Sequence, residues 1–268
     1  MKYLFIILFC CSCGEDSFKK VEKVQSFRVL GIIADLPEVA PGATVNLSPI
    51  ISDIKGTDPT ITGSFVACID PGISRGALVN CDHDAAAVSG NYNIIFATLL
   101  PNADARTGLS DPLSITVPST ILTGRSSRDE FNGVGYIVIF NFTVSGKSYT
   151  SFKRIVATNR AILNSNPVAT NIMINGLANT VAPINGDKLT LSSGSAPEIY
   201  EVINVDGVQE SLTEDYQIAW YTDQGTFTQS KVSIDEITEY EGKSASHLTL
   251  ALLRDERGGL DFLKIYYP

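Results

Sequence analysis

Gly135-Tyr136-Ile137-Val138-Ile139-Phe140-Asn141-Phe142-Thr143-Val144, then Ser145-Gly146-Lys147, then Ser148 to Thr158, reads as two strands and the turn that joins them. β-Branched and aromatic residues fill both arms, and a three-residue loop containing Gly is of hairpin length. The same signals recur upstream. Phe27-Arg28-Val29-Leu30-Gly31-Ile32-Ile33-Ala34 is apolar and β-branched, ended by Pro37 and the turn Pro41-Gly42. Thr44-Val45-Asn46-Leu47-Ser48-Pro49-Ile50 alternates at period two, as a strand with one buried face does. Ile61–Ile69, Tyr92–Thr98 and Leu113–Val117 are further candidates. No long stretch repeats apolar residues at helical spacing, so helix is expected only as single turns, within Ala85–Gly90 and Ser119–Arg128. Residues 25–158 are therefore predicted to form an antiparallel β-sandwich of about seven strands.

Downstream, residues 159–167 end in Asn164-Ser165-Asn166-Pro167, poor strand and poor helix material, and read as a linker. Residues 168–268 then resume strand patterning. Asn171–Ile174, Lys188–Leu191, Glu198–Asn204, Tyr216–Tyr221, His247–Leu253 and Leu260–Tyr267 are the candidates, with turns at Asn175-Gly176 and Asp206-Gly207. In the alternating Tyr216-Gln217-Ile218-Ala219-Trp220-Tyr221, Trp220 shares parity with Tyr216 and Ile218 and is expected in the core, with Tyr221 facing outward. The charged Arg254-Asp255-Glu256-Arg257 reads as a solvated turn that discourages edge-on aggregation.

The N-terminus carries a different signal. Met1-Lys2 is followed by the nine-residue apolar run Tyr3–Cys11, too short to cross about 30 Å of hydrocarbon. It has the profile of a signal-peptide core. Cys10-Cys11-Ser12-Cys13-Gly14 resembles a lipobox, the motif at which a cysteine receives diacylglycerol and signal peptidase II cuts in front of it. It departs from the usual pattern at Cys10, where Leu is common. The resemblance implies a signal peptide over 1–12, lipidation of Cys13 and a lipidated tether over 13–24. Acyl chains contribute about 0.8 kcal/mol per buried CH₂, enough for a stable anchor without a spanning helix. Gly14 in place of Asp implies, by resemblance to enterobacterial sorting, an outer-membrane protein whose body is periplasmic or surface-exposed.

Two longer stretches extend the resemblance. Phe27–Ala34 followed by Pro37-Glu38-Val39-Ala40-Pro41-Gly42-Ala43-Thr44-Val45 resembles the N-terminal signature of uncharacterised surface or outer-membrane lipoproteins of myxobacteria and related Gram-negative bacteria. Ile218–Phe227 and Leu253–Asp261 are similar to the middle and last strands of PKD-type and other immunoglobulin-like modules. There a Trp packs between the sheets and an Asp-x-x-Gly-Gly turn joins the last two strands. Residues 53–157 share none of these motifs. The fold expected is thus all-β, two tandem immunoglobulin-like antiparallel sandwiches after a lipoprotein signal peptide. Such folds host many functions, so no activity follows from the fold.

Lys+Arg number 20 against 29 Asp+Glu, and loss of Lys2 with the signal peptide leaves 19, a net charge near −10. That balance argues against nucleic acid as a partner, since phosphate neutralisation needs clustered cations. Cys10 and Cys11 leave with the signal and Cys13 is acylated, so Cys68 and Cys81 remain to pair in an oxidising compartment. Cys81-Asp82-His83-Asp84 is the rival metal reading, but it lacks ligand spacing. Asp255 and Asp261, with Asp223, are weak calcium candidates, since loop aspartates more often bond their own backbone. His83 and His247 are the only histidines, and Gly194-Ser195-Ala196 lacks the Gly-x-Ser-x-Gly context of a hydrolase nucleophile. No catalytic residue and no cofactor are expected. The expectation is a non-catalytic lipoprotein held to the membrane by its lipid, acting in adhesion, envelope organisation or as an accessory subunit, with a protein or envelope-glycan partner. The alternative is a glycan- or small-molecule-binding lipoprotein with its site in 71–89 or 101–111.

Overall fold

The computed structural model describes residues 22–58, 60–71, 79–95, 106–178, 181–242 and 247–267. In the first half run β1 (Arg28–Ala34), β2 (Glu38–Val39), β3 (Thr44–Ser52), β4 (Thr60–Ile69), β5 (Val88–Asn91), β6 (Ile94–Ile95), β7 (Thr107–Leu109) and β8 (Leu113–Thr116), then α1 (Ser127–Asn132), β9 (Val134–Val144) and β10 (Lys147–Ala157). The second half holds β11 (Ala169–Ile174), β12 (Leu177–Ala178), β13 (Lys188–Ser193), β14 (Ile199–Ile203), β15 (Gln209–Thr213), β16 (Gln217–Thr222), β17 (Thr226–Phe227), β18 (Lys231–Ser233), β19 (Thr238–Glu241), β20 (His247–Arg254) and β21 (Leu260–Tyr267). The chain is nearly all β and its sheets are antiparallel, apart from the short parallel pairing of β2 with β10. Ten strands, rather than seven, build the first half among the described residues.

The hairpin that opened the sequence reading forms as β9–β10, with Lys147 already paired to Val144. Its loop is thus two residues, Ser145 and Gly146, both at positive φ, which matches the twist of the flanking strands. The single-turn helix falls at Ser127–Asn132, later than most of the Ser119–Arg128 window, capped by Ser126 whose side chain accepts from Asp129 N.

The sheets stack in four successive layers. The sheet β2-β10-β9-β4-β5 packs on β3 and its neighbours β1, β7 and β8, through a core that includes Ile32, Leu47, Val138 and Phe140. The sheet β18-β16-β20-β21 packs on β12-β11-β13-β19-β17 around Trp220, Ile218, Leu189 and Tyr240. Between these pairs lies a third buried cluster, in which Leu30 and Ile50 of the first half meet Ala219, Leu248, Leu250 and Leu252 of the second. Tyr221, expected outward, is half-buried there, because the outer face of β16 is another interior. The almost continuous apolar run of β20 has the same cause, since both faces of that strand are covered.

A β-bulge sets up the middle layer. The pairing of β1 with β3 slips between Val29 and Gly31, leaving Leu30 without a partner. Past the slip, Ile32 and Ala34 face the first core, while Leu30 turns to the second half. Gly31 beside it leaves room for Leu260, since a Cβ there would lie 2.7 Å from a Leu260 methyl and push that side chain aside.

Packing ties the residues before 25 and the 159–167 segment to both halves. Residues at the start of the described chain are not a free tether: Val24 is fully buried in the middle cluster. Its amide donates to Thr222 O at 3.0 Å, and Thr222 N donates to Glu22 O at 2.9 Å. The 159–167 segment is pinned on both sides. Asn164 N donates to Glu38 at 2.7 Å and its side chain to Asp255 at 3.1 Å. Asn166 donates to Ala34 O at 2.7 Å and accepts from Leu260 N at 2.9 Å.

Candidate functional site

Several buried charged side chains meet at this junction. The β20–β21 turn is shaped by Asp255, whose carboxylate accepts from Arg257 N at 2.9 Å and Gly259 N at 2.6 Å, with Gly258 at φ 98°. That turn aims Arg257 across the junction. Its guanidinium reaches Glu38 at 2.5 Å, Glu214 at 3.2 Å and Glu198 at 3.3 Å. Arg160 shares Glu38 at 3.4 Å, and donates to Phe131 O at 2.8 Å and Asn132 O at 3.2 Å. Glu38 and Glu214 are buried, and burial pushes the Glu214 carboxyl above the usual carboxylate range. The turn expected to be solvated is thus a buried ionic hub between the halves.

Arg254 and Lys153 complete it. Arg254 donates to Leu30 O at 2.9 Å, and the Lys153 ammonium donates to Gly258 O. Burial pushes Lys153 down to about 8, against the pull of Asp255 and with a further push from Arg254.

Beside the hub, Phe131, Arg160, Ile162, Ile199, Tyr200 and Arg257 line a cavity of about 340 Å³. Arg257 lies 4.6 Å from the Tyr200 ring centroid, within cation–π range. From its rim rises the β14–β15 hairpin, a two-stranded sheet of its own. α1 fixes its outer end: Asn132 donates to Ile203 O at 2.7 Å and accepts from Ile203 N at 2.8 Å, and Arg128 adds a bond to the same carbonyl at 3.1 Å. The side-chain amide of Asn132 thereby takes the place of a neighbouring strand. Nothing in the sequence placed α1 beside residue 203.

The expected site residues fall elsewhere. Cys13 lies outside the described residues. Cys68 and Cys81 are joined, Cα–Cα 5.7 Å, and with Val79 and Ala87 cover Ile137 and Ile139 on the outer face of β9. In the Cys81–Asp84 run, Asp84 accepts from Ile69 N at 3.0 Å and Ala86 N at 2.9 Å, amides that hold its carboxyl below the usual range. His83 Nε2 bonds Ile69 O at 3.0 Å, so the run staples the end of β4. The calcium candidates are not brought together. Asp255 shapes its turn, Asp261 accepts from Ala169 N at 2.8 Å and Asp223 from Leu248 N at 2.7 Å. Among the described residues no three potential ligands converge. Ser195 bonds Val168 N at 3.0 Å and stitches its own loop. The side chain of His247 lies outside the described set, as do 72–78 and 101–105 within the alternative ligand regions.

No protein-family model matches the chain, and no curated protein does. Among solved structures it is similar to red sea bream transglutaminase, at 5% identity and TM-score 0.27 over 90% of this chain and 32% of that one. It is also similar to dimeric latent PorU from Porphyromonas gingivalis (11%, TM-score 0.26, 91% and 24%). A third is Escherichia coli alpha-2-macroglobulin activated by porcine elastase (9%, TM-score 0.26, 93% and 22%). The chain spans less than a third of each of these proteins. Likeness at this level assigns neither partner nor activity.

The hub predicts a pH response. Lys153 has a folded pKa below its unfolded one, so between about 8 and 10.5 the native state binds fewer protons and stability rises with pH. Complete passage through that window is worth about 3 kcal/mol. Tyr200, pushed up to about 12 by burial and by its hydrogen bond to Glu256, acts in the opposite sense above pH 10. Urea unfolding of the wild type is therefore expected to show a stability maximum near pH 10, and Lys153→Met to flatten the rise from pH 8. Parallel profiles for the two proteins would remove Lys153 as its source.

Proposed function

We propose that this chain is a lipid-anchored, non-catalytic lipoprotein of the bacterial outer membrane, built from two immunoglobulin-like sandwiches. It acts through protein contacts in adhesion, envelope organisation or as an accessory subunit of a surface complex. The observation that supports this reading best is the seating of Glu22–Gln25 on the second half. Beyond the two bonds between this segment and Thr222, Glu22 accepts from Thr226 Oγ1 and Gln25 donates to Asp223 O at 3.3 Å. Nine residue steps separate Cys13 from Glu22, at most about 32 Å of extended chain. An anchor at Cys13 would therefore hold the body by the Thr222 end of β16. The hub and the hairpin lie toward the other end of β20, where Arg254 stands five residue steps, about 17 Å, from the Thr249 that pairs with Thr222. The lipid and the exposed hairpin are thus at opposite ends, as a displayed contact surface requires. No helix among the described residues is long and apolar enough to cross a membrane.

Mass spectrometry of the membrane-associated protein is expected to find an acylated Cys13 as its first residue, and Cys13→Ser to release the protein from membranes. An unmodified N-terminus beyond residue 13, or a Cys13→Ser protein that stays bound, would sink the anchor reading. Glycan or small-molecule binding, the alternative, is favoured by an open groove of about 670 Å³ beside the disulfide, where Phe152 is 47% exposed. Ligand-induced shifts confined to Val79–Asp82 and Thr150–Phe152 would mark it.

A further inference from the structure

We infer that the β14–β15 hairpin is a docking edge for a basic, extended protein segment; the inference rests on the reading of a non-catalytic protein that works through contacts. Among the described residues no strand lies beside the outer edge of β15, which leaves backbone groups for a partner strand. The arm is unusually apolar for an exposed element. Ile199 is 74% exposed and Val205 79%, with Val208 and Leu212 also exposed, and Ile162 across the cavity rim is 81% exposed. Ile199 and Leu212 lie on opposite faces of the hairpin, so each face of the arm presents an exposed aliphatic side chain.

Charge decides what covers it. From Glu198 to Asp215 the chain carries Glu198, Glu201, Asp206, Glu210, Glu214 and Asp215 and neither Lys nor Arg. Arg257 neutralises Glu198 and Glu214 at the base. Glu201 and Glu210 accept only the neutral amides of Gln209 and Asn204, and among the described residues no cation stands in ion-pair range of either. Along β15 itself the acid is Glu210, which shares its face with Leu212, so a strand with Lys or Arg beside Glu210 and an aliphatic residue beside Leu212 matches this edge, and an acidic strand is repelled. A second copy of the hairpin would set these acids against themselves. The bonds from Asn132 and Arg128 to Ile203 hold the arm in place before a partner arrives, which lowers the ordering cost of binding.

The test uses the full mature chain and a synthetic peptide of alternating lysine and valine, with a glutamate–valine peptide of equal length as control. Fluorescence anisotropy is expected to show the basic peptide binding at least about tenfold more tightly, an advantage that shrinks as salt rises from about 50 to about 300 mM. Amide shifts on binding are expected at Gln209–Thr213. The double variant E201K/E210K, at exposed positions, is expected to lose about tenfold in affinity with an unchanged melting temperature. Equal binding of the two peptides, unchanged binding by the double variant, or shifts centred elsewhere would overturn the inference. Failure to bind by a protein acylated at Cys13 overturns the docking edge alone, and binding by an unacylated protein overturns the anchor alone.

Discussion

Arg257→Leu is expected to cost about 3–5 kcal/mol at neutral pH, because it leaves the Glu38 and Glu214 carboxylates buried without their main cation. Arg160 remains beside Glu38 at 3.4 Å but is already committed to Phe131 O and Asn132 O. The loss has a characteristic pH signature. Burial already raises the Glu214 carboxyl against the pull of Arg257, and without Arg257 it rises further above its unfolded value, so the native state binds more protons than the unfolded chain through that interval. Stability of the variant then falls as pH rises through it, and the deficit against wild type is largest at neutral pH and shrinks toward pH 4. Urea unfolding of both proteins at pH 4, 5.5 and 7 reads this directly. A deficit independent of pH would mean that Arg257 contributes packing and not charge compensation. A triple variant that also carries Glu38→Gln and Glu214→Gln is expected to recover part of the loss, since it removes the uncompensated charges.

Trp220→Ala is expected to lower stability by about 3–5 kcal/mol, the cost of emptying the centre of a core in which the indole is fully buried against Phe227 and Ile218. Trp220→Phe should cost clearly less. Trp220 Nε1 has no hydrogen-bond partner among the described residues, and phenylalanine removes that orphaned donor together with part of the ring. The damage is not confined to the second half. β16 carries Trp220 on one face and Ala219 on the other, where the middle layer meets Leu30 and Ile50. Wild-type unfolding followed by fluorescence of this sole tryptophan should therefore coincide with unfolding followed by far-UV circular dichroism. Trp220→Ala should move the whole circular-dichroism transition. Two separated transitions would show that the middle layer does not couple the halves.

Period-two patterning was enough to read the all-β character of the chain, the β9–β10 hairpin and the inward direction of Trp220. These are local consequences of side-chain alternation and turn chemistry, and they need no knowledge of what lies across the sheet. The cysteine count likewise singled out Cys68 and Cys81 once Cys10, Cys11 and Cys13 were assigned to the expected signal peptide and anchor. Two signals for the deeper architecture were present but ambiguous. The apolar run Tyr136–Phe140 and the almost continuous one Leu248–Leu253 belong to strands buried on both faces, yet such a run does not say which element covers the second face. The first is covered by the disulfide loop and the second by the other half of the chain.

What alternation could not reach is set by contacts between residues far apart in sequence. The bulge at Leu30 changes which face of β1 meets which core, and it arises from a register slip against β3 that no local pattern announces. Tyr221 is half-buried because a sheet from the first half lies over it, so parity placed its face correctly and its exposure wrongly. Arg257 and Glu38 stand 219 residues apart, and each alone reads as a surface charge in a turn or a short edge strand. Only the stacking of four sheets brings them together and removes water from both. Local sequence thus determined strands, turns and the facing of each side chain. The tertiary structure decided what each face meets, and with it the buried charge hub and the position of the hairpin, because burial is a property of the assembled layers.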